Sequence, residues 1–195
     1  EKTGHIAKTN GDAAANLSAA KNIIEAKYEL PYLAHAPIEP LNCVVKADKT
    51  QCEMWYACQM PTIDQNEVGK LLGLKPEQVK INTLYAGGSF GRRACASDYV
   101  LDAAAIAKQL TGRAVKMVWT REDEMLNARY RPMAVHHIRG AVTDEGALVW
   151  QHHAVAPSIL RGTPFEGMIR GPLDGTVVEG IEDMHYTIPH LQVQG

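Results

Sequence analysis

The chain has 195 residues, of which 46% are hydrophobic and 22% charged, a balance typical of a folded protein with one domain or two compact lobes. Its 20 lysines and arginines against 22 aspartates and glutamates give a net charge of −2, which excludes the basic footprint of a nucleic-acid-binding protein. No segment has the apolar length of a transmembrane helix or a signal peptide, so we expect no direct membrane insertion.

The first part of the chain predicts a lead-in followed by strands. Residues 1–20 contain Gly4, Asn10-Gly11 and an alanine-rich stretch, and we expect them to be flexible, with the folded domain over 21–195. The β-branched and apolar runs predict strands at 23–28, 41–47 and 52–57, with Asp48-Lys49-Thr50 as a turn between the last two. Asp64 and Glu67 indicate a helix start, and Gly73 indicates its end.

A glycine-rich turn lies between a predicted strand and a predicted helix. Residues 79–86 alternate apolar and polar side chains, which indicates a half-buried strand, and the three- and four-residue steps over 94–110 indicate an amphipathic helix. The turn between them reads Gly87-Gly88-Ser89-Phe90-Gly91-Arg92-Arg93. Its glycines would let a ligand approach the backbone, and the helix start offers N–H groups to an anion such as phosphate. Such turns also serve packing alone, and neither the P-loop nor the dinucleotide-binding pattern is met.

The last third predicts further strands and a long connection. A strand is expected at 114–119, a short helix starts at Thr120 and Asp123, and 135–142 with 147–155 flank a hairpin turn. Residues 157–182 hold five glycines and three prolines, so we expect a long connection. Strands and helices interleave without a regular βαβ period, so the predicted fold class is α+β, with a mixed β-sheet and packed helices.

Cysteines and histidines give no metal-binding pattern. The four cysteines lack Cys-x-x-Cys spacing, so we expect buried free thiols and neither a zinc nor an iron–sulfur site. Cys58 differs from the other three cysteines because it directly precedes Gln59. His136-His137 and His152-His153 are neighbours in strands and face opposite sides, so neither pair chelates one metal ion. A cross-strand pair across the hairpin is the less favoured alternative.

Three segments resemble the molybdenum-cofactor domain of the xanthine oxidase family in their order and spacing. They are Cys58-Gln59-Met60-Pro61, Leu71-Leu72-Gly73-Leu74 and Gly87-Gly88-Ser89-Phe90-Gly91-Arg92-Arg93. Residues 33–43 resemble the family's His-x-x-x-Glu-Pro segment, and the Arg-Arg ending resembles the isoquinoline 1-oxidoreductase large-subunit branch. The resemblance covers about residues 24 to 193, which disfavours chance.

This resemblance implies a molybdopterin cofactor, in its cytosine dinucleotide form, that is held without a direct protein ligand to molybdenum. It implies that the Gln59 amide hydrogen-bonds an oxo ligand, that Phe90 and Gly91 lie at the metal's edge, and that Gly87 and Gly88 allow close approach. Arg92 is expected as a counter-charge for phosphate. Arg93 is left open between that role and a solvated charge at the helix start.

The resemblance also implies the reaction class and the partners. Family members oxidatively hydroxylate N-heteroaromatic compounds or aldehydes. Ala94 and Tyr130 replace polar purine contacts, which favours an apolar substrate pocket. The family's base glutamate lies further toward the C-terminus, so we expect this chain to be an inactive fragment that needs the rest of the large subunit, a 2Fe–2S small subunit, and a cytochrome or another electron acceptor. The family includes periplasmic and cytoplasmic proteins, so the compartment stays open.

Two alternatives from other classes stay open. The chain could be a non-catalytic scaffold or subunit-interaction module that keeps the fold without the cofactor. It could also be a nucleotide-binding protein whose glycine turn holds an ordinary phosphate. A molybdenum site needs Gln59 close to Phe90, whereas the other two functions would be indifferent to Gln59→Ala.

Overall fold

The computed structural model describes residues 4–95 and 98–195, without the side chain of Cys95. The strands are β1 (Ile6–Asn10), β2 (Ile23–Leu30), β3 (Leu33–Ala34), β4 (Asn42–Ala47), β5 (Cys52–Tyr56), β6 (Val79–Thr83), β7 (Ala114–Val118), β8 (Tyr130–Arg131), β9 (Ala134–Val142), β10 (Leu148–Val155) and β11 (His190–Gln194). The helices are α1 (Ala13–Ala19), α2 (Pro61–Leu72), α3 (Arg92–Cys95), α4 (Asp98–Gln109) and α5 (Arg121–Asn127). Short 3-10 turns lie at Pro76–Gln78, Glu166–Met168 and Gly175–Val177.

The chain divides into two compact units. One contains the residues up to Leu33 together with those from Arg131 onward, and the other is the continuous stretch Ala34–Tyr130. We call them the two-segment unit and the continuous unit. In the described part of the chain, no helix is both long enough and apolar enough to cross a membrane.

The two-segment unit contains a five-stranded sheet in the order β1-β11-β10-β9-β2. Strands β10 and β11 are parallel, and the other neighbours are antiparallel. Helix α1 buries Ala13 and Leu17 in a cluster with Ala141 and Val149 of the sheet. The burial of this apolar surface stabilises the helix, which is too short to be stable alone in water.

The continuous unit contains a four-stranded sheet in the order β6-β5-β4-β7, in which only β5 and β6 are parallel. Helices α2 and α4 contribute to its core, which includes Met54 and Tyr56 of β5. Ala103, Ala104 and Ala107 of α4 are fully buried in this core. Small side chains at these positions let the helix backbone approach its neighbours closely. Mixed sheets with packed helices confirm the predicted α+β class.

Most predicted elements in 21–155 are present. The predicted strands correspond to β2, β4, β5, β6 and β7, the hairpin corresponds to β9 and β10, and Gly73 ends α2 in a left-handed conformation. The helix predicted over 94–110 is observed as α3 and α4, and residues 96–97 lie outside the described part of the chain.

The structure differs from the expected flexible lead-in at residues 1–20. Residues 1–3 lie outside the described part, but the following residues form β1 and α1. Strand β1 pairs with β11, and Leu17 of α1 is buried. The hydrogen-bonding partner of β1 lies at the other end of the sequence, so no local pattern indicates this strand.

Candidate functional site

The glycine-rich turn of the continuous unit packs against residues 35–39. A methyl group added at Gly88 would lie 2.8 Å from Cβ of Pro37, and Gly88 has φ +111°. The other two glycines of the turn are equally close to this segment. The three contacts join Gly87 with Glu39, Gly88 with Pro37, and Gly91 with His35. Glycine is therefore required here by contacts within the chain, in addition to any ligand.

Both the backbone and the side chain of Glu39 are hydrogen-bonded to Gly87, at the start of the turn. Its backbone N–H donates to the Gly87 carbonyl at 3.0 Å, and the Gly87 N–H donates to Oε2 of Glu39 at 2.8 Å. Asn42 donates to Oε1 at 2.9 Å. Burial opposes ionisation of the carboxyl, but these two donors and the nearby Arg93 charge outweigh it and hold the pKa of Glu39 below its usual value.

Arg93 lies beneath the turn, and its side chain is 0% exposed. Its guanidinium donates to Oε2 of Glu39 at 3.2 Å, to the Glu39 carbonyl at 3.3 Å and to the Ala57 carbonyl at 3.3 Å. The interpretation of Arg93 as a solvated charge is therefore wrong. A local sequence pattern could not show this, because burial depends on Ala57 and Glu39, which lie 36 and 54 residues away in the chain.

Gln59 follows β5 and meets the turn through its side chain. The Ser89 hydroxyl donates to Oε1 of Gln59 at 3.0 Å. The amide N–H₂ of Gln59 has no hydrogen-bond partner among the described residues, and the side chain is exposed. Two of the segments that carry the family resemblance thus meet at one exposed surface.

The loop that carries Gln59 is held by Asp64 of α2. The buried Asp64 carboxylate accepts hydrogen bonds from the Tyr56 hydroxyl at 2.7 Å and from the Cys58 thiol at 3.3 Å. Its backbone N–H donates to the Met60 carbonyl. Asp64 therefore fixes the chain on both sides of Gln59, whereas the sequence indicated only a helix start. Burial raises the pKa of the Cys58 thiol to about 11, so this cysteine is an unreactive thiol at neutral pH.

Phe90 follows Ser89 in the glycine turn, and its ring is partly exposed. It is 47% exposed, and its ring centre lies 6.1 Å from that of His35. His35 is held in turn by a hydrogen bond from Nδ1 to the Arg129 carbonyl at 2.7 Å. The backbone N–H groups from Gly88 to Gly91 have no hydrogen-bond partner among the described residues, so they stay available to a ligand.

The side chain of Arg92 pairs with a carboxylate, whereas the resemblance implies a phosphate as its partner. Its guanidinium pairs with both carboxylate oxygens of Asp98 and lies 5.2 Å from the centre of the Trp119 ring. These groups line a cavity of about 360 Å³ together with Asp102, Asp123 and Asn127. With three carboxylates around one arginine, this cavity is unfavourable for phosphate. The counter-charge role of Arg92 stays a prediction.

The two expected substrate-pocket residues lie in the continuous unit. Ala94 is half-buried, and its N–H donates to the Gly91 carbonyl at 3.1 Å. Tyr130 is 45% exposed, and its hydroxyl donates to the Met125 carbonyl at 2.7 Å. Tyr130 directly follows Arg129, whose carbonyl holds His35 beside Phe90. The pocket role of both residues stays a prediction.

The histidines of the two-segment unit meet across the hairpin. Nδ1 of His136 lies 3.0 Å from Nε2 of His152, and the rings of His137 and His153 lie 6.2 Å apart. Histidines of the two strands therefore do meet across the hairpin, which was the less favoured arrangement. Among the described residues, no group of three or more histidines, cysteines and carboxylates could hold a metal ion.

The donors at the Gln59 surface fit the molybdopterin cofactor that the resemblance implies. A free amide N–H₂, a run of free backbone N–H groups and an exposed aromatic ring suit oxygen ligands and a planar ring system. Neutral donors hold such oxygens without titrating. Glu39 and Asp64 were not predicted to support this site, although Glu39 belongs to the His-x-x-x-Glu-Pro segment, and Arg93 was left open between a phosphate counter-charge and a solvated charge.

Comparison with known proteins agrees with these features. The family model described as the molybdopterin cofactor-binding domain matches residues 1–195. The chain is 32% identical over 140 residues to the isoquinoline 1-oxidoreductase subunit beta of Brevundimonas diminuta, covering 70% of this chain and 17% of that protein. It is 29% identical over 159 residues to the aldehyde oxidoreductase molybdenum-binding subunit PaoC of Escherichia coli O157:H7, covering 80% and 21%.

A solved structure shows the same fold. Quinoline 2-oxidoreductase from Pseudomonas putida 86 matches with a TM-score of 0.65 at 17% identity, covering 80% of this chain and 21% of that one. The chain thus spans about a fifth of the length of these relatives. Because the family model matches the whole chain, the chain belongs to the molybdopterin cofactor-binding domain family.

Proposed function

We propose that this chain forms part of the cofactor site in the large subunit of a molybdenum-dependent oxidoreductase of the xanthine oxidase family. The observation that carries the proposal is the hydrogen bond from Ser89 to Gln59. It joins two segments that are 30 residues apart and leaves the Gln59 amide N–H₂ free at an exposed surface. A scaffold has no need for a free donor there.

The residues of this chain would bind and orient the cofactor. The Gln59 amide would donate a hydrogen bond to an oxygen ligand of molybdenum, and the free N–H groups between Gly88 and Gly91 would add further donors. Phe90 would limit the space beside the metal. When bound, the cofactor supplies the redox chemistry, in keeping with the general division of work between cofactor and protein.

The reaction we propose is the oxidative hydroxylation of an N-heteroaromatic compound or an aldehyde. Two relatives, an isoquinoline 1-oxidoreductase subunit and an aldehyde oxidoreductase subunit, support these substrate classes. Ala94 and Tyr130 fit an apolar pocket, because neither side chain carries a charge. We further propose the cytosine dinucleotide form of the cofactor.

The remaining parts of the enzyme would come from outside this chain. We expect the general-base glutamate in the rest of the large subunit, and a 2Fe–2S small subunit with a cytochrome or another acceptor to take the electrons. The relatives are several times longer than this chain, which supports a larger assembly. We therefore expect this chain alone to be inactive.

The test is to express the full parent protein with its small subunit and maturation factors, and to measure molybdenum per chain and turnover of N-heteroaromatic and aldehyde substrates. We expect molybdenum in the wild type and a loss of about 10- to 100-fold in activity or metal content for Gln59→Ala. The matched control is Gln109→Ala, since Gln109 is also exposed but lies at the end of α4. Wild-type protein without molybdenum would contradict the proposal.

One observation favours the alternative of a non-catalytic scaffold. All three turn glycines are required by contacts with residues 35–39, so their presence is explained without a ligand. The same experiment separates the two functions, because a scaffold would contain no molybdenum and would be indifferent to Gln59→Ala.

A further inference from the structure

Three separate segments of the continuous unit meet at the buried Arg93. The guanidinium contacts the Ala57 carbonyl, two residues before Gln59, and both the carbonyl and the carboxylate of Glu39. Arg93 itself lies two residues after Gly91. The loop of Gln59, the segment of Glu39 and the glycine turn are therefore all connected through one side chain.

Glu39 also binds the other end of the turn, at Gly87. Its carboxylate accepts from the Gly87 N–H, and its backbone N–H donates to the Gly87 carbonyl. The turn is thus held at Gly87 by Glu39 and just past Gly91 by Arg93, and the backbone N–H groups proposed to bind the cofactor lie between these two attachments. The bond from Ser89 to Gln59 spans the two segments that this ion pair holds in place.

A buried charge is costly, so its presence needs a partner and a reason. An unpaired cation with no exposed surface would be strongly destabilising, and ion pairs of this kind are weak sources of net stability. Their best-supported use is to fix one arrangement of the chain. Arginine suits this use because its planar fork presents several donors in fixed directions, whereas lysine carries a single ammonium group that cannot reach both Ala57 and Glu39 in the same way.

We propose that Arg93 and Glu39 are positioning residues that hold the Gln59 amide and the backbone N–H groups of the glycine turn in the arrangement that the cofactor requires. The pair touches neither metal nor substrate and acts through Gln59 and the turn. This inference rests on the proposed function, since it assigns the pair to that same site.

The test compares Arg93→Lys and Glu39→Gln in the full parent protein with its small subunit. Arg113→Lys is the matched control, because Arg113 is exposed in the same unit. Three quantities are measured: molybdenum per chain, kcat and KM separately, and amide hydrogen exchange in peptides that cover Ala57–Met60 and Gly87–Arg92. The exchange measurement needs no metal.

We expect faster exchange in both peptides for Arg93→Lys and Glu39→Gln, with exchange in α2 and β4 unchanged. In molybdenum-loaded protein we expect kcat to fall by about tenfold or more with little change in KM, and the double variant to be no worse than the more damaging single variant. A purely structural role would instead change exchange throughout the unit. Arg113→Lys should change none of these quantities.

The outcomes separate this inference from the proposed function. Unchanged exchange in the two peptides for both variants, or unchanged kcat in the loaded enzyme, would overturn the positioning role, whatever the wild-type molybdenum content. Faster exchange in the two variants, together with a wild-type protein that contains no molybdenum, would support the positioning role and overturn only the proposed function. If Arg93→Lys does not fold, Glu39→Gln decides the question, because it keeps the size of the side chain and one acceptor oxygen while it removes the charge.

Discussion

The Ser89 hydroxyl donates a hydrogen bond to Oε1 of Gln59 at 3.0 Å, and this contact decides which way the Gln59 amide faces. With the carbonyl end of the amide engaged, the N–H₂ end is directed to the exposed surface, where it can donate to a ligand. A serine in the glycine turn thus has a specific effect on a glutamine that lies 30 residues earlier in the chain.

Ser89→Ala should weaken the site without unfolding it. A neutral hydrogen bond of this kind contributes about 0.5–1.5 kcal/mol, so we expect kcat to fall by about 2- to 10-fold while molybdenum content stays the same. In the Gln59→Ala background the Ser89→Ala change should have no further effect. Ser18→Ala, which removes an exposed hydroxyl in the two-segment unit, is the control. An additive effect of the two changes would show that Ser89 acts elsewhere.

Gly91→Ala should destabilise the protein more than Gly112→Ala. Both glycines have left-handed backbone angles, with φ +72° and +77°, so both variants bear a similar backbone strain. Only at Gly91 would the new methyl group collide with another residue, 2.6 Å from Nδ1 of His35. We expect the free energy of unfolding to be lower for Gly91→Ala by about 1–3 kcal/mol relative to Gly112→Ala, measured in urea. Equal losses would mean that His35 moves aside without cost.

Tyr56→Phe should destabilise the continuous unit by removing one donor to Asp64. Tyr56 is fully buried, and burial together with the Asp64 charge raises the pKa of its hydroxyl, so the group remains a donor over the accessible pH range. We expect a loss of about 1–3 kcal/mol in urea unfolding, because the buried carboxylate loses a hydrogen bond. Tyr85→Phe is the control, since Tyr85 is fully exposed. A loss no larger than that of the control would contradict the role of Asp64.

His152 should make stability fall with acidification. Burial, with the nearby His136 and His153, lowers the pKa of His152 to about 4 from an ordinary value of 6.5. Below pH 6.5 the unfolded chain therefore binds a proton that the folded chain does not, and stability is lost as the pH falls toward 4.

The matched measurement is urea unfolding at pH 7.5 and pH 4.5. Wild type should lose about 2–3 kcal/mol more over this interval than His152→Gln, which cannot titrate there. His185→Gln, an exposed histidine in the same unit, should behave as wild type does. If His152→Gln has the same pH dependence as wild type, the buried histidine is not the cause.

The sequence predicted those features whose causes are local. The capping pair Thr120 and Asp123 forms at the start of α5, and Gly73 takes the left-handed conformation at the end of α2. The approach of Gln59 to the glycine turn followed from the family resemblance. It could not follow from the residues alone, because both segments are exposed and neither has a periodic pattern that indicates the other.

The supporting residues escaped prediction for a physical reason. Arg93 directly follows Arg92 in the chain, but the two side chains have different partners. Arg93 is buried and pairs with Glu39, whereas Arg92 pairs with Asp98 beside Trp119. Arg93 is buried by contacts with Ala57 and Glu39, which are distant in the sequence, whereas the Asp98 partner of Arg92 is only six residues away. The strand β1 escaped prediction in the same way, since its partner β11 lies at the far end of the sequence.

The division of the chain into two units has a consequence for biosynthesis. All the proposed site residues lie within Ala34–Tyr130, one uninterrupted stretch, whereas the sheet of the other unit combines β1 and β2 with β9, β10 and β11. Every strand of the four-stranded sheet is therefore synthesised before β9 begins. The continuous unit can therefore fold from one uninterrupted stretch, whereas β2 and β1 can pair only after β9 and β11 have been synthesised.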